Sequence, residues 1–299
     1  MALTSAYRGI YEAPELKPTP CGILSVASVM THTSAKYDER WVRGFAYEFD
    51  SYATVRLLTV DDANVTNGEL FNANDTTTSP NYKDYIPFFI ETEISQSLFG
   101  ILGEDRFKVA LKQLEAATQK AVERELWEGK ASIADSNANV YLSKASTATI
   151  PSVGAHDPSN ALFHLEQALA ASPTGQNGVI HMTRDVASLL GSKLIYLPKS
   201  DGTGRMMTRL GTDVIVGSGY TGNGPIGATG AAASITNRWM YATGPVDVHL
   251  SKSEVVNDSI SQGVGYSTND SKIKAVRAAA VYFDPSSHYA MRVAVPQQA

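Results

Sequence analysis

The sequence carries a single cysteine, Cys21, among 299 residues. One thiol excludes an internal disulfide framework and any all-cysteine metal site within one chain. Cys21 is therefore expected to be a small buried apolar residue. Long apolar runs are also missing, since none approaches the ~18 residues that a membrane helix requires. The run Cys21–Met30 is short and follows Glu12, Glu15 and three prolines without a basic start, so it does not read as a signal peptide. The chain is expected to be intracellular when made. On that reading the sequons at Asn64, Asn74, Asn257 and Asn269 are chance matches in polar loops. Charge is modest at 18% of residues, with a formal net charge of −5. That balance does not look like a dedicated nucleic-acid binder, which usually carries a basic face. It leaves open a protein that encloses nucleic acid without gripping it. No P-loop, CxxC, HExxH or GxSxG is present, and none of His32, His156, His164, His181, His249 and His288 forms an i, i+4 pair. No metal site, cofactor or catalytic residue is expected.

What is present is architecture. Pro14, Pro18 and Pro20 favour extended backbone, and residues 1–40 read as an N-terminal arm ordered by what it lies against. In 41–60 the alternation of Trp41, Phe45, Tyr47 and Phe49, then the β-branched stretch Thr54–Val60, predicts strands. Residues 61–81 hold turn signals at Asn67-Gly68 and Ser79-Pro80, and a second strand is expected over Tyr85–Ile94. Residues 41–95 thus form an extended β-loop too long to have a core of its own.

Helical spacing is strongest over Glu104–Glu128. There Phe107, Ala110, Leu111, Leu114, Ala117, Ala121, Val122 and Leu126 share one face, and Gly129 closes the end. Glu123, Glu125 and Glu128 lie among Lys and Arg and read as a solvated charged face. Residues 130–157 read as strand and loop. A helix is expected from Asp157-Pro158-Ser159 to about Ala171, burying Leu162, Leu165, Ala168 and Leu169. A strand at Val179–Met182 follows, then a helix Thr183–Leu190 capped by Thr183. Further strands are expected at Leu194–Leu197, Asp213–Val216, Trp239–Ala242, Val246–Leu250, Ala275–Phe283 and Tyr289–Val295, with a flexible Gly-rich loop over 217–235. Helices mixed with mostly antiparallel strands, without βαβ alternation, predict an α+β fold.

Three enzyme-like patterns fail on context. Gly217-Ser218-Gly219-Tyr220-Thr221-Gly222 matches GxGxxG, but Asn223-Gly224-Pro225 follows where a helix N-terminus is needed, and no acidic residue ends a strand about 20 residues on. Asp135-x-Asn137-x-Asn139 begins like an EF-hand loop, yet Val140 and Ser146 stand where Gly and Glu are required. Asp284, Ser286, Ser287 and His288 have triad residue types but are neighbours on one turn.

The element order resembles that of tailed-bacteriophage major capsid proteins, the Hong Kong-97-type capsid fold. Three stretches carry the resemblance. Ile94–Glu128, with Ser97-Leu98-Phe99-Gly100 and Glu115-Ala116-Ala117, looks like the family's spine helix. Gly178-Val179-Ile180-His181 looks like the start of its axial lobe. Trp239–Val255 with Val276–Val295, punctuated by Gly244-Pro245-Val246 and Asp284-Pro285, looks like its closing segments. The resemblance implies an arm at 1–40, an extended loop at 41–95 and a peripheral domain with its spine helix at 96–150. An axial domain at 151–272 and closing peripheral strands at 273–299 complete it.

It further implies a non-enzymatic protein that self-assembles as hexamers and pentamers into an icosahedral shell around double-stranded DNA. The extended loop would lie across a neighbour. Such a shell is a virion capsid made in the bacterial host cytoplasm, with portal, scaffolding and accessory proteins as partners and no membrane. No charged helical prefix precedes the arm, so scaffolding is expected to be separate or unused. An encapsulin-like compartment, another virion protein such as a tail tube subunit, and a nucleotide-using enzyme at 217–222 are the competing readings.

Overall fold

The computed structural model describes residues 18–33, 41, 43–48, 82–97, 106–134, 139–172, 178–200, 203–256 and 270–296. One helical turn, α1 (Ile23–Val26), and a strand, β1 (Ser28–His32), come first. The root of the extended loop follows, β2 (Phe45–Glu48) paired antiparallel with β3 (Tyr82–Tyr85). Then come β4 (Phe88–Ser97), α2 (Arg106–Glu128) and α3 (Lys130–Ala134). The next elements are β5 (Ala155–His156), α4 (Pro158–Ala170), β6 (Val179–Thr183) and α5 (Arg184–Leu190). The strands β7 (Leu194–Leu197), β8 (Arg205–Thr208), β9 (Asp213–Gly217), β10 (Asn237–Thr243), β11 (Val246–Ser251), β12 (Glu254–Val256), β13 (Asp270–Phe283) and β14 (Tyr289–Ala294) complete the order. The α+β expectation holds.

Apart from the two-stranded β2–β3 pair, two sheets organise these strands. The smaller runs β1-β11-β13-β12, with β4 paired to β13 over ten residues; the larger runs β5-β14-β10-β6-β9-β8-β7. Pairing is mostly antiparallel, with parallel exceptions at β1·β11, β6·β9 and β5·β14. The sheets do not part at residue 272/273. β11 and β12 join the smaller sheet beside α2, whereas β14 joins the larger one.

The smaller sheet is the middle of three layers, because strand side chains alternate between faces. Val248, Leu250, Ile273, Ala275, Ala279 and Val281 turn to one face and pack with Leu114, Val122 and Leu126 of α2. Ala278 and Ala280 turn to the other and pack with Trp41 and Phe45 at the loop root. Helix and loop root therefore cover opposite faces. A second core lies between α4, α5 and the larger sheet, centred on Leu165, Ile180, Met182 and Met240.

Several local expectations need correction. The strand at the loop root begins at Phe45, not Trp41, and residues 41 and 43 have helical backbone. The strand over Tyr85–Ile94 is broken at Ile86-Pro87. There the Asn139 side chain accepts from the Ile86 N–H (2.9 Å) and donates to its carbonyl (2.8 Å). Lys130–Ala134 is helical, because the Glu125 carboxylate accepts from the N–H groups of Ala131 (2.7 Å) and Ser132 (3.0 Å) and from the Ser132 hydroxyl (2.7 Å). α4 opens at Asp157-Pro158-Ser159 as expected, and Asp157 caps it by accepting from Ser159 N and Asn160 N. Thr183 stands at the N-cap of α5 without capping a backbone N–H; its hydroxyl donates to the Asp185 carboxylate instead. The stretch Thr54–Val60, the tip 61–81 and residues 135–138 lie outside the described residues.

Candidate functional site

The chemistry of this molecule concentrates where α2 meets the N-terminal segment and the Gly-rich loop. The expected apolar stripe of α2 is present at Ala110, Leu114, Val122 and Leu126, but Phe107 and Ala117 are exposed. In its last three turns the helix is buried on nearly all sides. Gln119, Glu123, Glu125 and Trp127 all turn inward. This corrects the reading of Glu123 and Glu125 as a solvated face; of the three glutamates only Glu128 reaches the surface, paired with Arg124 at 3.1 Å.

Glu123 is the centre of the joint. Its carboxylate accepts from Ile23 N (3.1 Å), Ser218 Oγ (3.1 Å) and Gly219 N (2.8 Å). Three segments distant in sequence thus meet on one side chain. Burial pushes the carboxyl pKa up, and the donors from Gly219, Ile23 and Ser218 pull it down. All three contacts are donations to oxygen, the geometry of an ionised carboxylate.

Beside it Trp127 meets Tyr220 in a tilted ring contact at 4.5 Å and Tyr241 edge-on at 4.9 Å. The Trp127 indole N–H and the Tyr241 hydroxyl both donate to the Asn223 carbonyl at 3.0 Å.

The GxGxxG segment is therefore part of this joint. No helix follows Gly222, as the sequence indicated. The expectation of a flexible loop is corrected for its first half, where Gly217, Gly219, Tyr220, Gly222 and Gly224 are buried. Gly219 has a packing reason of its own. A Cβ there would sit 2.3 Å from the Lys120 carbonyl oxygen and 2.9 Å from the Glu123 Cβ.

The N-terminal segment enters the joint through Cys21, whose φ of +60° lies in the left-handed region. Its N–H donates to Thr203 O (2.9 Å) and its carbonyl accepts from Val216 N (2.8 Å), which hold that conformation. The thiol is buried, as expected, and burial raises its pKa.

The structure pairs histidines that the sequence kept apart. His32 Nε2 and His249 Nδ1 lie 2.7 Å apart, against Trp41 and Phe45. His156 and His164 make an edge contact at 5.1 Å. His181 is fully buried between the Tyr220 and Thr243 hydroxyls, each at 2.9 Å, and desolvation, with the nearby His288, lowers its pKa to about 3. Among the described residues no three His, Cys, Asp or Glu side chains could hold a metal ion.

The triad-like residues do not form a relay. Asp284 caps the turn Pro285–Ser287, accepting from Ser286 N at 2.9 Å. His288 instead contacts Thr147 Oγ1 at 3.0 Å, and burial lowers its pKa to about 4. A shallow groove of about 280 Å³ between β4 and α2 is lined by Phe88 and Ile90 and by the charged Glu91, Arg124, Glu125 and Lys130.

Apolar residues are nevertheless left in water at the margins. β7, at one end of the larger sheet, exposes Ile195, Tyr196 and Leu197 in succession, and Leu210 nearby is 81% exposed. β1, at one end of the smaller sheet, exposes Val29 and Met30, and Phe89 on β4 is 56% exposed. Edge strands with such side chains are templates for another chain. No described helix is long and apolar enough to cross a membrane.

No protein-family model and no curated protein matches the sequence. Solved structures do match, over nearly the whole of both chains. The holo-SrpI encapsulin from Synechococcus elongatus aligns with a TM-score of 0.56 at 10% identity, covering 100% of this chain and 99% of its own. The capsid of an empty GTA particle aligns at 0.52 and 12% identity, covering 99% and 95%. Mycobacterium phage Adephagia aligns at 0.51 and 10%, covering 99% and 96%. The chain has the phage-capsid fold. This is the Hong Kong-97-type architecture that the element order suggested. At identities of 10–12% the likeness is one of fold.

Proposed function

We propose that this chain is the major capsid protein of a tailed phage, assembling as hexamers and pentamers into an icosahedral shell that encloses double-stranded DNA. The observation that carries the reading is the full-length match to shell-forming proteins, from the N-terminal segment to the last strand. The exposed apolar margins at β1, β4 and β7 fit it, since burying them against identical copies offsets the ordering entropy of extended segments. On this reading the smaller sheet with α2 is the peripheral domain and the larger sheet the axial domain. The reading includes residues 1–40 as an N-terminal arm and 41–95 as an extended loop that crosses a neighbour. The chain then has no catalytic residue or cofactor. It resides in the virion capsid, is assembled in the host cytoplasm, and works with portal, scaffolding and accessory proteins.

A second reading is an encapsulin-like compartment, favoured by the TM-score of 0.56 to the Synechococcus encapsulin. Cryo-electron microscopy of the purified chain separates the two. Closed shells with both hexamers and pentamers, large enough for a genome, support the capsid. Small uniform shells loaded with protein cargo support the compartment. A monomer that stays compact at high concentration, or stacked rings, rejects both.

A further inference from the structure

One margin of the larger sheet breaks the alternation that a half-buried strand should show. β7 pairs with β8, in the register Leu194 with Thr208 to Leu197 with Arg205, and stands at the end of the sheet. Successive side chains of a strand point to opposite faces. Ile195, Tyr196 and Leu197 are nevertheless exposed in succession, at 41%, 49% and 42%, so β7 is open on both faces as well as along its outer edge. Leu210, just past β8, adds a further exposed apolar side chain. The Tyr196 ring is set in place over Gly204, where a Cβ would overlap it. Cations rim this patch. Lys193, Lys199 and Arg209 are exposed, and among the described residues none has a carboxylate within ion-pair distance. Lys199 and Arg209 donate to carbonyls instead, Nζ to Ser25 O (3.1 Å) and Nε to Ser192 O (3.0 Å). Of the carboxylates in this part of the sheet, Asp213 is paired with Arg205, and Glu166 accepts from the Thr212 hydroxyl.

We propose that β7 receives the extended loop of a second copy of this chain as an added strand. The inference rests on the shell reading above and deepens it by naming where on the neighbour the loop lands. A single occupant that covers two faces and an edge together is a strand paired edge-on. The segment 49–81 has the matching chemistry. It carries Asp50, Asp61, Asp62, Glu69 and Asp75 against Arg56 alone, a net charge of −4, and Asp61-Asp62 directly follow its β-branched apolar run Thr54–Val60. At about 3.3 Å per residue, half out and half back, it spans roughly 50 Å. The loop root lies on the opposite face of the smaller sheet from α2. The β7–β8 connection is tied instead to the N-terminal segment that α2 clasps, through Thr203 O with Cys21 N (2.9 Å) and Lys199 with Ser25 O. The donor is therefore a neighbour's loop. Each copy gives one loop and receives one, a head-to-tail contact that closes into a ring when the rotation between copies closes.

The test uses two full-length variants, Leu57→Cys carrying an affinity tag and Ile195→Cys without one. They are mixed and treated with a short flexible bismaleimide long enough to span a one-residue difference in register. The native Cys21 is buried, so the introduced thiols are the ones that react. A tagged dimer should form in the mixture at least tenfold more than in either variant alone, both in assembled particles and in the concentrated unassembled chain. The double variant L57C/I195C should give a ladder that ends at five or six chains. Adding K193E/R209E to the Ile195→Cys chain should cut the yield at least fivefold, and D61K/D62K on the loop-donating chain should restore it. Circular dichroism and the thermal midpoint establish that the variants fold.

Shells that form without the mixed dimer overturn the proposal and leave the shell reading intact. A fast-migrating monomer from L57C/I195C, with no ladder, would place the loop on its own chain and overturn the second-copy assignment. Charge reversal that lowers the yield without rescue by D61K/D62K would overturn the pairing of the loop carboxylates with this rim. Duplex DNA that shields Ile195→Cys from a monofunctional maleimide, in a chain whose loop gives no cross-link, would assign the rim to nucleic acid. Failure of the wild-type chain to form shells under any condition refutes the shell reading, while the cross-link in the concentrated chain still decides where the loop docks.

Discussion

Replacing Glu123 with alanine removes the acceptor from three donors at once, Ile23 N, Ser218 Oγ and Gly219 N. Hydrogen bonds to a charged group contribute about 1.5–3 kcal/mol each, so the gross loss is about 4–9 kcal/mol. Relief of the carboxylate's own desolvation returns several kcal/mol of that. A net destabilisation of about 3–4 kcal/mol results, in the range for breaking a buried charged contact. With an unfolding entropy of about 2.1 cal/mol/K per residue over this chain, that lowers the melting midpoint by about 5 °C.

Glu123→Gln keeps one acceptor oxygen but turns an NH2 toward a donor that cannot reverse, so it should fall between wild type and E123A. Urea unfolding of the unassembled subunit, followed by tryptophan fluorescence, reads both variants, because Trp127 lies in the same joint. An E123A variant within 1 kcal/mol of wild type would refute the clasp. An E123Q variant as stable as wild type would show a neutral carboxyl and refute its ionised assignment.

Three further outcomes are expected. Gly219→Ala forces a Cβ against the Lys120 carbonyl and should cost about 1–3 kcal/mol, or more if α2 cannot yield, read by the same unfolding assay. His181 and His288, whose pKa values are lowered to about 3 and about 4, stay neutral in the folded chain while the unfolded chain takes up protons below about pH 6.5. Stability is therefore full above about pH 6.5 and declines toward pH 4, by up to about 3 kcal/mol per histidine. Melting midpoints from pH 7.5 to 4.5 should flatten in His181→Gln, and an unchanged slope would reject the assignment. The Cys21 thiol, buried and with a raised pKa, should resist a thiol reagent in the native protein and react on unfolding; rapid native labelling would contradict the packing around it.

The sequence disclosed most of the regular elements because their periodicities are intrinsic. The α2 stripe, the opening of α4 at Asp157 and most strands from Val179 onward were legible from residue spacing. What it concealed are features made by contact between distant segments. Glu123 and Glu125 look solvated by their neighbours in the chain, and only the convergence of Ile23, Ser218 and Gly219 on one of them, and of α3 on the other, explains their burial. The His32–His249 contact spans 217 positions and leaves no local mark. β8 and β12 were missed because strands of four and three residues give too little alternation to register. The Gly217–Gly222 loop has the spacing of a nucleotide motif, yet its Gly219 serves close packing against α2, a role a motif search does not distinguish.

The clasp at Glu123 also has a mechanical side. Tension applied to the chain ahead of Gly22 does not pass directly to β1. It is met first by the hydrogen bond from Gln119 to the Thr19 carbonyl, then by the backbone bonds on either side of Cys21, and then by Ile23 on the glutamate. The same glutamate anchors the loop at Ser218 and Gly219, so a pull on one limb is shared with the other through a single rigid turn of helix.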